Sequence, residues 1–484
     1  MHVNWEYQAK GGIKMTNFDA NKEAQFGLLP ITRSERVYNL WDNSCISIGL
    51  TIATWEFLIG ASLALFVDFW TAVWGTLAGN MLTVLVMTWM PCLSGAKYGV
   101  DGYSGAVSFM GTKGKNFILV CVGIFIICWD IVLSVLFARS VSNVAAAILG
   151  VEEMSHVFVI AMAVLCMVAT FLIVWKGPLV IKKFNNICAP LMCVVIIMLG
   201  IILTVKTGWG NIAEAEPLIP YESKWVNFLI AVELSFGAGL SWWPEMGGLS
   251  RLCKSSRAAY WSNFFGLVVA ATVATAIGAA ACLTIGSEDP TVWMIKLAGI
   301  GLGIMALAFI AFANVSSCST ITYTMCLGLK GLNVFQKISW GKVVGGFCAI
   351  VAIALVCGAD WIYDHFYIML GITCVFYVPM TAIAVVDYFI LRKQKLELRS
   401  LFNKTETSTY WFWGGVNWIA LIIFIATAFF YLVFLDPANL IYHKPFVYCT
   451  ASVGAGVPCA IVYYLAMKLF VVKSGKGGYN TLDK

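Results

Sequence analysis

Charge is scarce in this sequence. Only 12% of its 484 residues are Asp, Glu, Lys or Arg, about half the fraction a soluble chain carries. So little charge cannot cover a water-facing surface of that size, which excludes a soluble enzyme. Histidine is scarcer still. There are four, none in a HxxxH or HExxH pattern, so the usual zinc-hydrolase layouts are missing. The sixteen cysteines contain no CxxC pair and lie mostly inside apolar runs; they read as small core residues, with neither a metal site nor a disulfide framework expected. No stretch is long and polar enough for a soluble domain, which argues against a membrane-tethered sensor with an effector module. Residues 1–43 are polar without a hydrophobic signal core, so no cleavable signal peptide is expected. Within that tail, "GGIK" directly before Met15 is what a purine-rich ribosome-binding site gives when translated, which makes Met15 a candidate bacterial start.

Apolar residues are what the chain has in excess, at 60%. Runs long enough to cross a bilayer, ~20 residues, recur twelve times: 44–66, 70–94, 117–148, 157–175, 187–205, 226–249, 260–285, 293–327, 343–358, 365–391, 412–435 and 446–471. The runs at 117–148 and 293–327 exceed a straight crossing, so tilted or bent helices are expected there. Segments 1–43, 96–116, 176–186, 251–258, 329–342, 391–404 and 468–484 hold 26 of the 31 Lys and Arg, while the alternate loops hold acids such as Glu152, Glu153, Glu288 and Asp289. By the positive-inside rule, both termini are cytoplasmic and the protein is a multi-pass component of the cell's inner (plasma) membrane. The net charge of +6 then belongs to cytoplasmic loops, and no nucleic-acid partner is implied.

Polar residues inside such runs are costly and mark function. Twelve helices with short loops suggest a transporter, and transporters are often built from inverted repeats with broken helices at corresponding positions. The first run reads "GLTIATWEFLIGAS" and the sixth "GAGLSWWPEMGG". Each places a tryptophan just before a glutamate among small residues: Trp55 before Glu56, and Trp243, Pro244, Glu245. Pro244 lacks an N–H and disrupts the helical ladder; Gly237, Gly239, Gly247 and Gly248 lower the cost of unwinding. The plainer reading is a proline kink with glycines for close packing. Glu56, near mid-span, either meets substrate or a coupling proton in a polar cavity or is a neutral acid bonded to a neighbouring helix. Asp130 in "CWDIVL" poses the same choice, and Glu245 is a substrate-contact candidate. Trp129, Trp242 and Trp243 offer flat faces able to sandwich a planar heterocycle. In the eighth run "AFANVSSCSTITYT", the hydroxyls of Ser316 and Ser317 with backbone carbonyls suit a small hard cation, or else simply bond their own helix.

With these motifs in view, the chain resembles nucleobase:cation symporter family one, the purine and cytosine permeases, and among them the bacterial cytosine permeases. The likeness runs over roughly residues 27–400. It is carried by "LPITRSERVYNLW" before the first helix, "GLT…GAS" within it, the glycine-spaced loop "GAKYGVDGYSGAVSFMGTKG", "LGLKG" closing the eighth and "AVVDYFILRK" ending the tenth. The resemblance implies an all-α polytopic fold of twelve transmembrane helices: a leucine-transporter-type 5+5 inverted repeat (helices 1–5 and 6–10) plus two more. The domains would be a cytoplasmic tail 1–43, a transport core 44–400, helices 11–12 over 401–471 and a tail 472–484. It implies a substrate held between Trp129 and either Trp242 or Trp243, with Thr322 as a further contact; Trp55, from its place before Glu56, is a substrate-binding candidate as well. It implies a sodium site near Thr51 and Thr54, completed by Ala313, Ser316 and Ser317. There are departures: Leu133 for a polar residue, Val107 for an arginine, Gly248 for an aspartate. With the extra acids Glu56, Asp130 and Glu245, these favour a cationic or amidine-bearing heterocycle. The expectation is a symporter for a small planar nitrogen heterocycle, coupled to Na⁺ or H⁺, with no cofactor beyond that ion and with lipid as its surroundings. The alternatives are the same fold carrying a vitamin, amine or amino acid, or, further off, a membrane enzyme.

Overall fold

The computed structural model describes residues 29–87 and 89–479. The candidate start at Met15 and most of the tail 1–43 lie outside the described residues, as do the last five of the tail 472–484. Each of the twelve apolar runs forms a helix or a pair of half-helices, as a chain in hydrocarbon must to satisfy its own N–H and C=O groups. They are α1 (Leu40–Thr51 with Thr54–Ala64), α2 (Phe69–Tyr98), α3 (Lys115–Leu149), α4 (His156–Trp175), α5 (Pro178–Thr207), α6 (Lys224–Leu240 with Trp243–Ser250), α7 (Ser256–Ile285), α8 (Pro290–Lys330), α9 (Trp340–Asp364), α10 (Ile368–Leu391), α11 (Trp418–Tyr431) and α12 (Ala451–Val472). Nine are long and apolar enough to cross a membrane singly, and α1 and α6 are so as bent pairs; α11 is a shorter apolar helix. Besides the helices, the described residues form one ribbon of two-residue strands, Leu435–Asp436 against Ile441–Tyr442.

Local chemistry sets the starts. Short polar side chains accept from the first free amides: Asn39 at α1, Asp68 at α2, Ser155 at α4, Ser223 at α6, Asn417 at α11 and Thr450 at α12. The two long runs differ. α3 is one continuous helix of 35 residues. In α8, Gly299 adopts φ 75°, ψ 174°, open to glycine but not to L side chains, and the surplus length folds off as a separate turn over residues 290–298.

The breaks in α1 and α6 bend the chain by 51° and 41°. Around them, α3 packs along α8, the second half of α1 on α7, and the first half of α6 on α2. The α1–α7 crossing is backbone against backbone: a Cβ on Gly60 would lie 2.1 Å from the Thr275 carbonyl oxygen, and one on Gly278 2.2 Å from that of Phe57. α4, α5 and α9 turn apolar side chains outward, among them Val157, Ile187, Val205 and Ile353, the face that lipid covers.

Two buried polar hubs tie the last helices to the core. The Glu233 carboxylate of α6 accepts from the Tyr431 hydroxyl of α11 (2.6 Å) and from both the hydroxyl (2.5 Å) and the amide (3.0 Å) of Ser452 on α12. Just past α10, Arg392 donates to Asp387 (2.6 Å), to the Ser108 carbonyl (2.6 Å) and to the Gly477 carbonyl (2.8 Å). Its guanidinium lies over the rings of Tyr410 and Tyr479, at 4.8 and 4.1 Å. Asp387 in turn accepts from the hydroxyls of Tyr479 (2.5 Å) and Tyr463 (3.1 Å).

Candidate substrate and cation site

The two breaks face one another across a tight cavity of about 20 Å³, closed down to roughly the space of a water molecule. Its walls come from four helices: Leu50 and Trp55 of α1, Ile126, Trp129 and Leu133 of α3, Ser241, Trp242 and Glu245 of α6, Ser317 and Ile321 of α8. Three indoles meet here. Trp55 stands edge-on to Trp129 with centroids 5.2 Å apart and tilts against Trp242 at 6.1 Å. The polar side chains on the wall are few: the Glu245 carboxyl, the Ser241 and Ser317 hydroxyls and the indole edges. An apolar, aromatic pocket with a handful of placed polar groups is the usual form of a small-molecule site.

The break in α6 falls at Ser241–Trp242, and Pro244 opens the second half-helix, where its missing N–H costs nothing. The flanking glycines admit close neighbours. A Cβ on Gly237 would meet the Cys374 sulfur at 2.5 Å, on Gly239 the Thr83 hydroxyl at 2.7 Å, on Gly247 the Gly102 amide at 2.4 Å and on Gly248 the Thr324 methyl at 2.5 Å. Trp242 lines the cavity, whereas its neighbour Trp243 turns away, packing on Gly102 and edge-on to Tyr103 at 6.4 Å.

The three expected acids part company. Glu245 is on the cavity wall, one oxygen accepting from Thr324 at 2.8 Å. Glu56, in the first turn after the α1 break, is only 3% exposed and accepts from Thr275 of α7 at 2.7 Å; it is not on the cavity wall. Asp130 is buried between α3 and α8, where Thr322 donates to one oxygen at 3.0 Å, while the other finds no partner among the described residues. Thr322 is therefore bonded to Asp130 and is also off the cavity wall.

The hydroxyl residues expected around sodium are all engaged in hydrogen bonds, two of which join α1 to α8. Ser317 donates to the Leu50 carbonyl at 2.8 Å. Ser316 donates to the side-chain oxygen of Asn185 on α5 at 2.6 Å. Thr54 accepts from Asn314 at 2.7 Å, and Thr51 donates back to Ser47. Ala313 is fully buried on α8. Neutral hydroxyls and carbonyls at a helix break are hard oxygen donors, the kind of ligand a small hard cation takes. Sequence reasoning missed Asn185, Asn314, Thr275 and Thr324. Each is a polar residue within an apolar run, the one signal that could have drawn attention to them.

Two broken helices meeting at an aromatic cavity within a polytopic bundle are the architecture common among repeat-built transporters. A family model described as permease for cytosine/purines, uracil, thiamine, allantoin matches residues 30–454, and the chain belongs to that family, the nucleobase:cation symporters. Among relatives, a hydantoin permease from Microbacterium maritypicum is 26% identical over 173 residues, which is 34% of this chain and 33% of that protein. A purine-uracil permease from Arabidopsis thaliana is 22% identical over 434 residues, 82% of this chain and 69% of that one. The fold is that of Mhp1, a nucleobase-cation-symport-1 family transporter solved in a closed conformation with bromovinylhydantoin bound: TM-score 0.73, 15% identity, covering 92% of this chain and 96% of that one. A Na⁺-coupled sialic acid symporter is also similar, with TM-score 0.64 and 14% identity over 93% of this chain and 98% of that one.

Proposed function

We propose that this permease is a secondary active symporter that imports a small planar nitrogen heterocycle (cytosine, a purine or a related compound) by alternating access. It works in the inner (plasma) membrane with both termini cytoplasmic, as the loop charges argue. The observation that carries the reading is the cavity between the two helix breaks. Trp129 and Trp242 supply faces on which a flat ring stacks. Glu245, with one oxygen held by Thr324, offers its other to the N–H edge of the ring, and a carboxylate prefers a ring that is cationic or carries an amidine-like pair of donors.

The coupling ion is Na⁺ in the first reading, held by the Leu50 carbonyl, the hydroxyls of Ser316 and Ser317 and carbonyl oxygens near Ala313, Thr51 and Thr54. A second reading, H⁺, is favoured by Glu56: a buried carboxyl in the first turn after a helix break, with one hydroxyl donor and no cationic partner among the described residues.

The test is a thermal-shift screen of the purified protein with cytosine, adenine, uracil, hydantoin, allantoin and thiamine, in NaCl and in choline chloride. A ligand at ~100 times its Kd stabilises the folded state by about 2.7 kcal/mol. The expected result is stabilisation by one ring class that is lost in Glu245→Gln. Stabilisation that Glu245→Gln leaves unchanged would remove the carboxylate from substrate recognition. No stabilisation by any of the six, with saturable uptake of an amino acid instead, would transfer the cavity to another solute.

A further inference from the structure

We infer that Trp55 is a positioning residue that links the aromatic cavity to the cation site through an acceptor the two share, the Leu50 carbonyl oxygen. The inference rests on the sodium reading above and deepens it.

The argument starts at the break. In an unbroken helix the Leu50 carbonyl would accept from the amide four residues on. Here Ile52 (φ −75°, ψ 64°) and Ala53 (φ −120°, ψ 171°) leave helical geometry, and the Ala53 amide turns back to the Thr51 carbonyl at 2.7 Å. Two side chains serve Leu50 instead: the Trp55 indole N–H at 3.0 Å and the Ser317 hydroxyl at 2.8 Å. A carbonyl oxygen has two lone pairs, so both are taken.

The two donors differ in one respect. A serine hydroxyl rotates, and can present its oxygen to a cation after having presented its hydrogen to a carbonyl. An indole nitrogen only donates. A cation at the Leu50 oxygen can take the lone pair that Ser317 gives up as it turns to become a fellow ligand, but it then competes with the Trp55 N–H for the charge of the same oxygen and repels its positive end. Trp55 is the group whose bond a cation weakens. Its ring lies against both Trp129 and Trp242, at 5.2 and 6.1 Å, so its release changes the surface on which a flat solute stacks. Thermodynamic reciprocity makes the link two-way. A solute that pushes the Trp55 ring from its place removes this competitor from the Leu50 oxygen, and so raises cation affinity by the same factor. Coupling of this kind is about 5- to 150-fold.

The test uses the full chain in detergent, labelled with 5-fluorotryptophan, and follows ¹⁹F resonances as NaCl replaces choline chloride at constant ionic strength. Trp→Phe variants assign Trp55, Trp129 and Trp242. Na⁺ is the probe, and no transport substrate is needed. The expected result is that Trp55, Trp129 and Trp242 shift together with one apparent Kd. In Trp55→Phe, which keeps a ring but has no N–H, Na⁺ still binds but Trp129 and Trp242 no longer respond. If Trp129 and Trp242 shift in Trp55→Phe as in the parent, the inference is overturned and the sodium reading stands. If Na⁺ moves no resonance in the parent, both fall together. Ser317→Ala provides an arm independent of how Trp55→Phe folds. With its competitor on Leu50 gone, the Trp55 resonance should move in the absence of salt; an unmoved resonance overturns the shared acceptor.

Discussion

At the scale of single residues, orientation divides side chains that composition makes alike. Glu56 and Glu245 are both buried carboxyls, each with one threonine donor, yet only Glu245 borders the cavity. Replacing Glu56 by glutamine keeps its size and one acceptor but removes its capacity to titrate. Under the proton reading, Glu56→Gln should abolish accumulation against a gradient while leaving counterflow of labelled substrate across proteoliposomes intact. Full accumulation in that variant would leave Glu56 as a structural acid and the proton reading without a carrier. Trp129 lines the cavity beside Trp55 and Phe366. Trp129→Ala should weaken ligand binding by about 1–3 kcal/mol, as when an aromatic platform under a base is removed, and Trp129→Phe should retain much of it; calorimetric titration reads both. An alanine variant with parental affinity would sink the stacking assignment.

Among the helices, what decides function is how closely two backbones approach. Gly60 and Gly278 sit where α1 and α7 touch through their carbonyls, with no room for a Cβ. Gly60→Val or Gly278→Val should therefore cost at least the ~1–3 kcal/mol of an overpacked core, seen as a lowered Tm or loss of the monodisperse gel-filtration peak. Gly346→Ala on α9, where a Cβ meets nothing within 4 Å, should be neutral or slightly stabilising; equal behaviour of the two sets would contradict the crossing described here. All twelve elements were legible in the sequence, because hydrocarbon permits little but helices and the apolar runs mark them directly. The two broken helices were legible too, from tryptophan, glutamate and small residues recurring five helices apart. What a side chain faces was not. Around a helix each residue turns ~100°, and a break resets the phase, so nothing local says that Trp242 looks into the cavity while Trp243 looks out. Partners from other helices were hidden for the same reason: Asn185 of α5 meets Ser316 of α8 across a separation of 131 residues. The close neighbours of Gly237, Gly239, Gly247 and Gly248 were hidden as well, because a sequence shows a missing side chain but not the group that occupies its place.

Taken whole, the molecule is closed at one end by a buried ion pair built from distant parts of the chain. Arg392 and Asp387 are both fully buried. Removing one partner leaves the other charge uncompensated, and Arg392→Leu should destabilise by about 3–5 kcal/mol; the double variant Asp387→Leu with Arg392→Leu should recover part of that loss in thermal unfolding. Equal Tm values for single and double variants would mean that the pair is not coupled. Two of the groups that satisfy this pair, the Gly477 carbonyl and the Tyr479 phenol, lie 85 and 92 residues further along the chain than the groups they meet. A ribosome adds them only after all twelve of these helices. Until they arrive, Arg392 lacks one of its carbonyl acceptors and Asp387 one of its phenol donors. Packing at this end is therefore completed by residues that follow the last of these helices, not by the helices themselves.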